Sequence, residues 1–359
     1  MKIFMNMNLS KDHATAVQKL LNPEMDSTQV FLKLLEDRPK GHVLIPPKNS
    51  NDEVIVRNFR FDYAQRKWAD ERGMPKSVNL EAIALAQIEE SGAEIFYNHN
   101  WQLMSKDFVA RLPGCVRYKV AWHGAPSPNL FCNQYDLVLS NWPSLNKIYI
   151  EQGARRVEYF TPSHDHEAEK FHTDNRDIDV LFVGSYSRSH NNRAKLLEQI
   201  AELDDELKLQ IHLQNSKFTP LAETPLGLFG PLKQVRRGKK LRRIARDPVF
   251  GLDLYRLMGR SKIVVNMAIN YGGSDRGNMR CFETLSCGAA LVSDGGNYPS
   301  GFLESKNFIS YKDNAEAIKS IRELMDDEPR HQLVASEGFK MVNNAYSAVK
   351  QWNHFVSFL

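Results

Sequence analysis

A glycine-rich loop followed by a predicted helix gives the first candidate for a binding site. The segment SDRGNMRCFETLSCGAALVSD, residues 274–294, places Gly277 just before a helix that carries Arg280 and Glu283. A helix N-terminus presents unpaired N–H groups and partial positive charge, which favour an anionic ligand. Arg280 and Glu283 are three residues apart and therefore share one helix face. A surface ion pair is the alternative interpretation of these two residues.

A second loop has similar chemistry. In VLFVGSYSRSHNNR, residues 180–193, a strand of buried character ends at Gly184 and a helix begins a few residues later. Ser185, Arg188 and Arg193 lie beside this turn, and glycine lets a phosphate approach the backbone closely. The segment therefore predicts a pyrophosphate site, with an ordinary strand-to-helix turn as the alternative. The complete G-x-G-x-x-G pattern is absent, which argues against NAD or FAD.

Two series of alternating strands and helices place these loops. The first occupies residues 93–160, with apolar runs such as EIFYNH, YKVAWHG and YDLVLSN. A polar connection follows at 161–177, and a second series begins at IDVLFVGS. Alternating strands and helices favour parallel sheets covered by helices. Asn79 is predicted to cap a helix over NLEAIALAQIEE.

We therefore expect an α/β protein with two Rossmann-like domains whose parallel sheets face a central cleft. The predicted domains are residues 1–165, on the acceptor side, and residues 166–342, which bind a nucleotide. Residues 343–359 are expected to form a helix that returns to the first domain. The pattern of residues 41–75 is ambiguous and supports no prediction.

The second half resembles the donor domain of GT-B glycosyltransferases, and more closely that of the CgeB-like group. The resemblance rests on Asn-Met-Arg-x-x-Glu at 278–283, which leads into a Gly-containing turn and an apolar strand. It covers residues 179–345 and extends more weakly over 94–165. It implies a glycosyltransferase that takes a nucleotide-sugar as its substrate, with Gly277 and Asn278 among the donor-binding residues.

The resemblance also implies roles for individual side chains. Glu283 matches the glutamate that holds the ribose hydroxyls, since a carboxylate accepts two hydrogen bonds. Asp275, eight residues earlier, stands where many retaining enzymes have a glutamate that contacts the sugar, although its loop departs from their E-G-F-G pattern. Arg280 and Arg188 are expected to hold the diphosphate. Catalysis is therefore assigned to Asp275, Arg280 and one histidine of the first domain.

That histidine is His123, in YKVAWHGAP at the carboxyl end of a predicted parallel strand. Open α/β sheets bind ligands at this end, so His123 is a candidate for contacting the sugar or transferring a proton. A structural histidine is the alternative. His13, beside Asp12, follows the first strand and is a weaker candidate for the same reason.

Metal and cofactor binding are not expected. The D-x-D pattern of Asp177 and Asp179 comes before its strand, whereas ligands gather at the carboxyl ends of strands. The polar connection contains a cluster with metal-ligand residue types, but it lies in irregular chain, so we expect a solvated hinge. Its members are His164, Asp165, His166 and His172.

Composition suggests a soluble, cytoplasmic protein. Its four cysteines are too scattered for a disulfide framework, and MKIFMNMNLSKDHATAV lacks the apolar block of an export signal. Eight basic residues lie between Lys233 and Arg246, which could contact the inner membrane surface or an anionic acceptor; a solvated surface is the alternative. No nucleic-acid partner is expected.

The expected function is metal-independent glycosyl transfer to a glycan, lipid-linked or small-molecule hydroxyl, in bacterial surface glycan or glycoconjugate (polysaccharide) biosynthesis. Two alternatives stay open at this point, because a fold does not fix a reaction. One is a nucleotide-sugar epimerase. The other is a non-catalytic module that binds membrane or nucleic acid through the basic segment.

Overall fold

The computed structural model forms two compact units, each built around its own parallel sheet. It describes residues 1–7, 15, 17–36, 38–99, 104–105, 107–125, 131–186, 191–268 and 273–359. Within these residues, the first unit comprises 1–163, 273–275 and 348–359, and the second comprises 164–268 and 276–347. Among the described residues, no helix combines the length and apolar character needed to cross a membrane.

Among the described residues, each sheet has six strands and every strand pairing is parallel. The strands are β1 Lys2–Asn6, β2 Glu53–Arg57, β3 Ile95–Asn98, β4 Tyr118–Trp122, β5 Leu137–Ser140, β6 Val157–Tyr159, β7 Ile178–Ser185, β8 Leu209–Gln214, β9 Ala245–Arg246, β10 Ser261–Asn266, β11 Ala290–Asp294 and β12 Ile309–Tyr311. The first sheet has the strand order β2-β1-β3-β4-β5-β6. The second sheet has the order β12-β11-β10-β7-β8-β9. The α/β class predicted from the sequence is therefore confirmed.

Helices connect the strands and cover the faces of the sheets. The α-helices are α1 Ser27–Glu36, α2 Asp62–Glu71, α3 Leu80–Ser91, α4 Asn146–Glu151, α5 His166–Glu169, α6 Asn191–Ala201, α7 Thr219–Ala222, α8 Lys239–Ile244, α9 Leu252–Gly259, α10 Met279–Ser286, α11 Asn314–Asp326, α12 Glu328–Ala345 and α13 Ala348–Val356. Short 3₁₀ helices lie at Val109–Arg111, Cys132–Gln134, Pro143–Leu145, Glu202–Asp205, Pro225–Leu228 and Gly230–Gln234.

The first sheet is buried on both faces, as its continuous apolar strands require. Phe4 and Phe96 lie in the core on one face, whereas Ile3 and Tyr97 lie in the core on the other. The core that contains Ile3 and Tyr97 also contains Trp352 of α13, so the C-terminal helix covers this face of the first sheet.

The strand order of the second sheet creates a crevice at its centre. β7 is the first strand of this sheet and lies in its interior; the chain then adds β8 and β9 on one side and β10, β11 and β12 on the other. The helices that follow β7 and β10 therefore leave the sheet in opposite directions. Open α/β sheets bind ligands at such a reversal, at the carboxyl ends of the strands.

The polar connection before β7 is not the solvated hinge that its composition suggested. His164 and Asp165 are only 4% and 3% exposed. They tolerate burial because their polar atoms have partners: His164 Nδ1 lies 2.9 Å from Ser286 Oγ and Nε2 lies 2.6 Å from Glu169, while the Tyr255 hydroxyl donates to Asp165 at 2.8 Å.

Two other histidines of this connection differ from the buried pair. His166 is exposed at the start of α5. His172 stacks on Phe339, with a distance of 4.8 Å between ring centroids. Among the described residues, no group of three His, Cys, Asp or Glu side chains is arranged as a metal site.

Asn79 is the confirmed N-cap of α3, and its replacement tests the local stability of the first unit. Its side chain accepts a hydrogen bond from the Ala82 N–H at 2.8 Å. Asn79→Ala should lower the free energy of unfolding by about 1 kcal/mol, because the capping hydrogen bond is lost. Asn79→Asp should keep most of this stabilisation, because aspartate also caps helices well. Urea unfolding of the three proteins measures both changes. Equal stability of Asn79→Ala and the parent would contradict the capping role.

Candidate functional site

A cavity of about 1180 Å³ opens at the carboxyl edge of the second sheet. It is lined by the residues that follow β10, β11 and β12 and by the first turns of α6 and α11. Its walls are therefore built from loops that a parallel sheet brings to one edge. The lining residues used below are Arg193, Lys195, Ala268, Arg276, Asp294, Tyr298, Phe302, Glu304, Phe308, Tyr311, Lys312 and Asp313.

Arg193 joins the two strands between which the sheet order reverses. One terminal nitrogen of its guanidinium donates to Ser185 Oγ, at the end of β7, over 3.2 Å. The other terminal nitrogen donates to the carbonyl of Met267, directly after β10. The residue is 6% exposed. A positive charge is thus fixed in the wall of the cavity, at the place where the topology favours a ligand.

A buried ion pair forms the next part of the wall. Arg276 Nε lies 2.6 Å from one carboxylate oxygen of Asp294, and both side chains are largely buried. The other carboxylate oxygen accepts the Ala268 N–H at 2.8 Å. Because Asp294 ends β11 and Ala268 follows β10, the carboxylate fixes Arg276 relative to two neighbouring strands.

The lining combines positive charge with aromatic rings. Four side chains are cationic, namely Arg193, Lys195, Arg276 and Lys312, and three are carboxylates, namely Asp294, Glu304 and Asp313. Of the carboxylates, Asp294 is neutralised by Arg276, and Asp313 caps α11 by accepting the Glu316 N–H at 2.9 Å. Aromatic rings come from Tyr298, Phe302, Phe308 and Tyr311. Such a wall suits a ligand with both phosphate groups and a planar ring.

The predicted residues of the first loop lie at the end of β7. Gly184 and Ser185 are the last two residues of the strand, and Ser185 contacts Arg193 as described. A Cβ atom at Gly184 would lie 3.1 Å from the Phe182 ring, so the missing side chain also gives this ring its room. Arg188, predicted to hold the diphosphate, lies outside the described residues, as does His13.

The second loop is fixed by close packing. Gly277 has a positive φ of 95°, and a Cβ atom there would lie 2.6 Å from the Pro299 ring, so both conformation and space require glycine. Asn278 is the N-cap residue of α10, but its side chain exchanges two 3.2 Å hydrogen bonds with Asn266 instead of capping the helix. This pair attaches the start of α10 to the end of β10.

Arg280 and Glu283 form the expected i,i+3 pair, with 2.8 Å between their side chains. The pair is largely buried, unlike the exposed pair that the alternative interpretation required. Burial raises the pKa of Glu283, and the nearby Asp165 carboxylate raises it further, while Arg280 lowers it. Neither residue lines the cavity; among the described residues that were chosen from the sequence, only Arg193 does.

Asp275 belongs to the short segment that packs with the first unit. One of its carboxylate oxygens accepts the Ser144 N–H at 2.7 Å, and the residue is 5% exposed. This bond lies within the first unit and joins Asp275 to the 3₁₀ turn that leads into α4. The hydrogen bond and the burial together fix the position of the Asp275 carboxylate.

His123 follows β4 in the first unit and is 8% exposed. Its Nδ1 lies 3.2 Å from the Tyr149 hydroxyl, which also contacts the carbonyls of His123 and Ala125. Burial lowers the pKa of His123 to about 4, partly offset by a hydrogen bond to the backbone at Ala125. The imidazole is therefore neutral at neutral pH.

Arg276, Asp294 and Lys312 were missed as candidate residues. Asp294 ends the apolar strand that was recognised in AALVSD, and Lys312 follows β12. The rule applied to Gly184 and His123, that ligands gather at the carboxyl ends of parallel strands, would have selected Asp294. It could not have selected Lys312, because the sequence did not predict β12. Arg276 could not be chosen this way, because its partner Asp294 is eighteen residues away in the sequence.

Comparison with known proteins supports the fold described above. Residues 193–357 match a family described as "Glycosyl transferase-like". The chain is similar to an alpha-glucosyltransferase solved with UDP and a 13-mer DNA containing an HMU base, with a TM-score of 0.62, 13% identity and coverage of 99% of this chain and 98% of that one. No curated protein sequence matches the chain.

Two further structures have the same architecture. Anabaena Alr3699/HepE in complex with UDP-glucose gives a TM-score of 0.57 at 13% identity, covering 100% of this chain and 99% of that one. A glycosyltransferase from Rickettsia africae ESF-5 gives 0.58 at 11% identity, covering 99% and 97%. The chain therefore has the GT-B fold, and its residues 193–357 are similar to the glycosyl transferase-like family. The predicted GT-B resemblance is confirmed, while the CgeB-like subgroup stays a prediction.

The buried state of His123 makes stability depend on pH. Because its pKa in the folded protein, about 4, is below the ordinary value of 6.5, the unfolded chain binds more protons between these values and stability falls as pH falls through this window. In His123→Asn this dependence should be weaker by up to about 1.4 kcal/mol per pH unit. Urea unfolding between pH 4 and 7 measures the slope.

His42 and His99 also have lowered pKa values because of burial, so the variant should retain part of the dependence. His166→Asn, which removes an exposed imidazole, is the matched control. An unchanged slope in His123→Asn would show that this imidazole is protonated equally in both states.

Proposed function

We propose that the protein is a glycosyltransferase that binds a nucleoside diphosphate sugar in the cavity at the carboxyl edge of the second sheet. The observation that carries this proposal is the placement of Arg193. It fixes a guanidinium between the ends of β7 and β10, where the sheet order reverses, in a wall that also holds the Arg276–Asp294 pair. The family match over residues 193–357 supports the same assignment.

The cationic side chains would act mainly on the leaving group. During transfer, an acceptor oxygen forms a bond to the anomeric carbon while the bond from that carbon to the diphosphate breaks. Negative charge then develops on the departing diphosphate, which Arg193 and Arg276 would stabilise more strongly than in the bound substrate. The aromatic part of the cavity offers a surface for the base.

The Arg280–Glu283 pair lies outside the cavity lining and is proposed to extend the donor site along α10. Glu283 would accept hydrogen bonds from ribose hydroxyls, and Arg280 would hold this carboxylate in place or contact phosphate directly. Asp275 would contact the sugar. Gly184, Gly277 and Asn278 would present backbone groups, as proposed from the sequence. His123 is the proposed proton acceptor on the acceptor side.

UDP-glucose is the first donor to test, because HepE and the alpha-glucosyltransferase have been solved with UDP-glucose or UDP. The acceptor is proposed to be a glycan, lipid-linked or small-molecule hydroxyl in bacterial surface glycan synthesis, by a protein that acts in the cytoplasm. The DNA in the alpha-glucosyltransferase structure belongs to that protein and is not part of this proposal.

Transfer is proposed to need no divalent metal. Asp177 pairs with Arg260 beside the amino end of β7, and Asp179 lies 2.8 Å from both Lys262 Nζ and the Lys208 N–H. Both carboxylates are thus engaged near the end of the strand opposite to Ser185. The cations of the cavity would supply the positive charge instead.

Replacement of Arg193 tests the donor site. Arg193→Ala should weaken UDP-glucose binding at least about tenfold, or about 1.4 kcal/mol, since one charged donor is lost. The affinity of Arg193→Lys for UDP-glucose should lie between those of Arg193→Ala and the parent, because lysine keeps the charge but lacks the planar guanidinium. Isothermal titration calorimetry measures the affinities.

Two controls separate binding from folding. Arg322→Ala removes an exposed arginine that pairs with Glu206 outside the cavity and should bind UDP-glucose as the parent does. Thermal unfolding identifies variants that no longer fold. A folded Arg193→Ala protein with the affinity of the parent would contradict the proposed site.

Removal of metal tests the chemistry. UDP release from UDP-glucose, with acceptors supplied as a panel, should proceed at the same rate after EDTA treatment as with added magnesium or manganese. Asp179→Asn should behave as the parent does. Activity that is lost with EDTA, restored by manganese and also lost in Asp179→Asn would show that the aspartates hold a catalytic cation.

A further inference from the structure

The chain between β8 and α8 exposes an unusual group of large apolar side chains. It includes the short helix α7 and the two 3₁₀ helices Pro225–Leu228 and Gly230–Gln234, which pack on one another. The exposed fractions range from 44% for Leu221 to 74% for Phe229. We call this group the apolar cap; it comprises Phe218, Leu221, Leu226, Leu228 and Phe229.

The apolar cap is presented by a folded support. Gly227 lies so close to the backbone of Ala222 that a Cβ atom there would be 1.7 Å from the Ala222 carbonyl oxygen. The Arg236 guanidinium donates to the carbonyls of Ala222 and Thr224, and Arg242 donates to the carbonyl of Glu223 at 2.8 Å. The backbone that carries the apolar side chains is therefore folded and is held in place by these contacts.

The basic residues between Lys233 and Arg246 were the basis for predicting an anionic surface contact. Arg237 is 7% exposed and binds Asn215 and Glu223, Lys240 binds Asp205 at 2.8 Å, and Arg243 binds Asp204 at 3.0 Å. These side chains hold the segment together. Positive charge remains at the surface of this segment, because the side chains of Lys217, Lys233 and Lys239 are exposed.

We propose that the apolar cap inserts into the interfacial region of an anionic lipid bilayer. Exposed clusters of apolar side chains mark interaction surfaces, whereas single exposed apolar residues do not. An apolar group with basic surroundings matches a bilayer that offers an apolar interior beneath anionic headgroups. This charge complementarity selects a bilayer over a neutral protein surface.

Nucleic acid fits the surface less well. Its recognition depends on cations that neutralise phosphates, and the arginines of this segment are already bound to carbonyls and carboxylates of the protein. Leucine and phenylalanine side chains gain from leaving water, which a bilayer interior provides. The proposal is independent of the donor site, since no residue of the apolar cap lines the cavity.

The test is co-sedimentation with vesicles. The full chain should bind vesicles of phosphatidylcholine and phosphatidylglycerol at a ratio of about three to one, and should bind pure phosphatidylcholine vesicles at least about tenfold more weakly. The double variant Leu226→Ser with Phe229→Ser should bind the anionic vesicles at least about tenfold more weakly than the parent. Charge reversal of Arg236 or Arg242 is avoided because these side chains support the segment.

The matched control is Leu20→Ser with Leu333→Ser, which removes two leucines of comparable exposure, 67% and 59%, from other surfaces. This variant should bind vesicles as the parent does, and both double variants should keep the parent's unfolding temperature. Equal vesicle binding by the parent and the Leu226/Phe229 variant would overturn the proposal. The proposal would also be overturned if the parent does not bind anionic vesicles, including the case in which it self-associates or binds DNA through this surface.

Discussion

The parallel arrangement of the second sheet determines where this protein can bind a ligand. All its strands run in one direction, so every carboxyl end lies on the same edge. Its strand order reverses between β7 and β10, which separates the following helices and leaves a crevice. Arg193, the Arg276–Asp294 pair and the aromatic rings all depend on this arrangement, because residues far apart in the chain meet at one edge.

Much of the fold could be predicted because its signals are local. The apolar runs predicted β3, β4, β5 and β7, and Asn79 marked the start of α3. β2 escaped prediction because EVIVR is a short strand at the edge of the sheet, with none of its residues fully buried. The linker was misjudged because His164 and Asp165 find their partners in Ser286 and Tyr255, which sequence order does not reveal.

The candidate site was harder to predict from the sequence, because contacts between distant residues also decide which charged side chains are available to a ligand. Arginines that look available in the sequence are often used to bind carbonyls. Arg176 donates to the carbonyls of Gly259 at 2.7 Å, Ser261 at 2.9 Å and Gly288 at 2.7 Å, and Arg236 and Arg242 do the same near the apolar cap. The planar guanidinium suits this task because it offers several donors in a fixed geometry. Local charge density therefore overstates the positive charge available to a partner.

The buried carboxylates near α10 connect the fold to the proposed chemistry. Glu283 and Asp165 are both buried, and each raises the energy of a second negative charge nearby. Arg280 and the Tyr255 hydroxyl offset this cost through direct contacts. In the proposed function, ribose hydroxyls would add two more donors to the Glu283 carboxylate. These hydrogen bonds would favour the ionised form of Glu283 and would thereby lower its pKa.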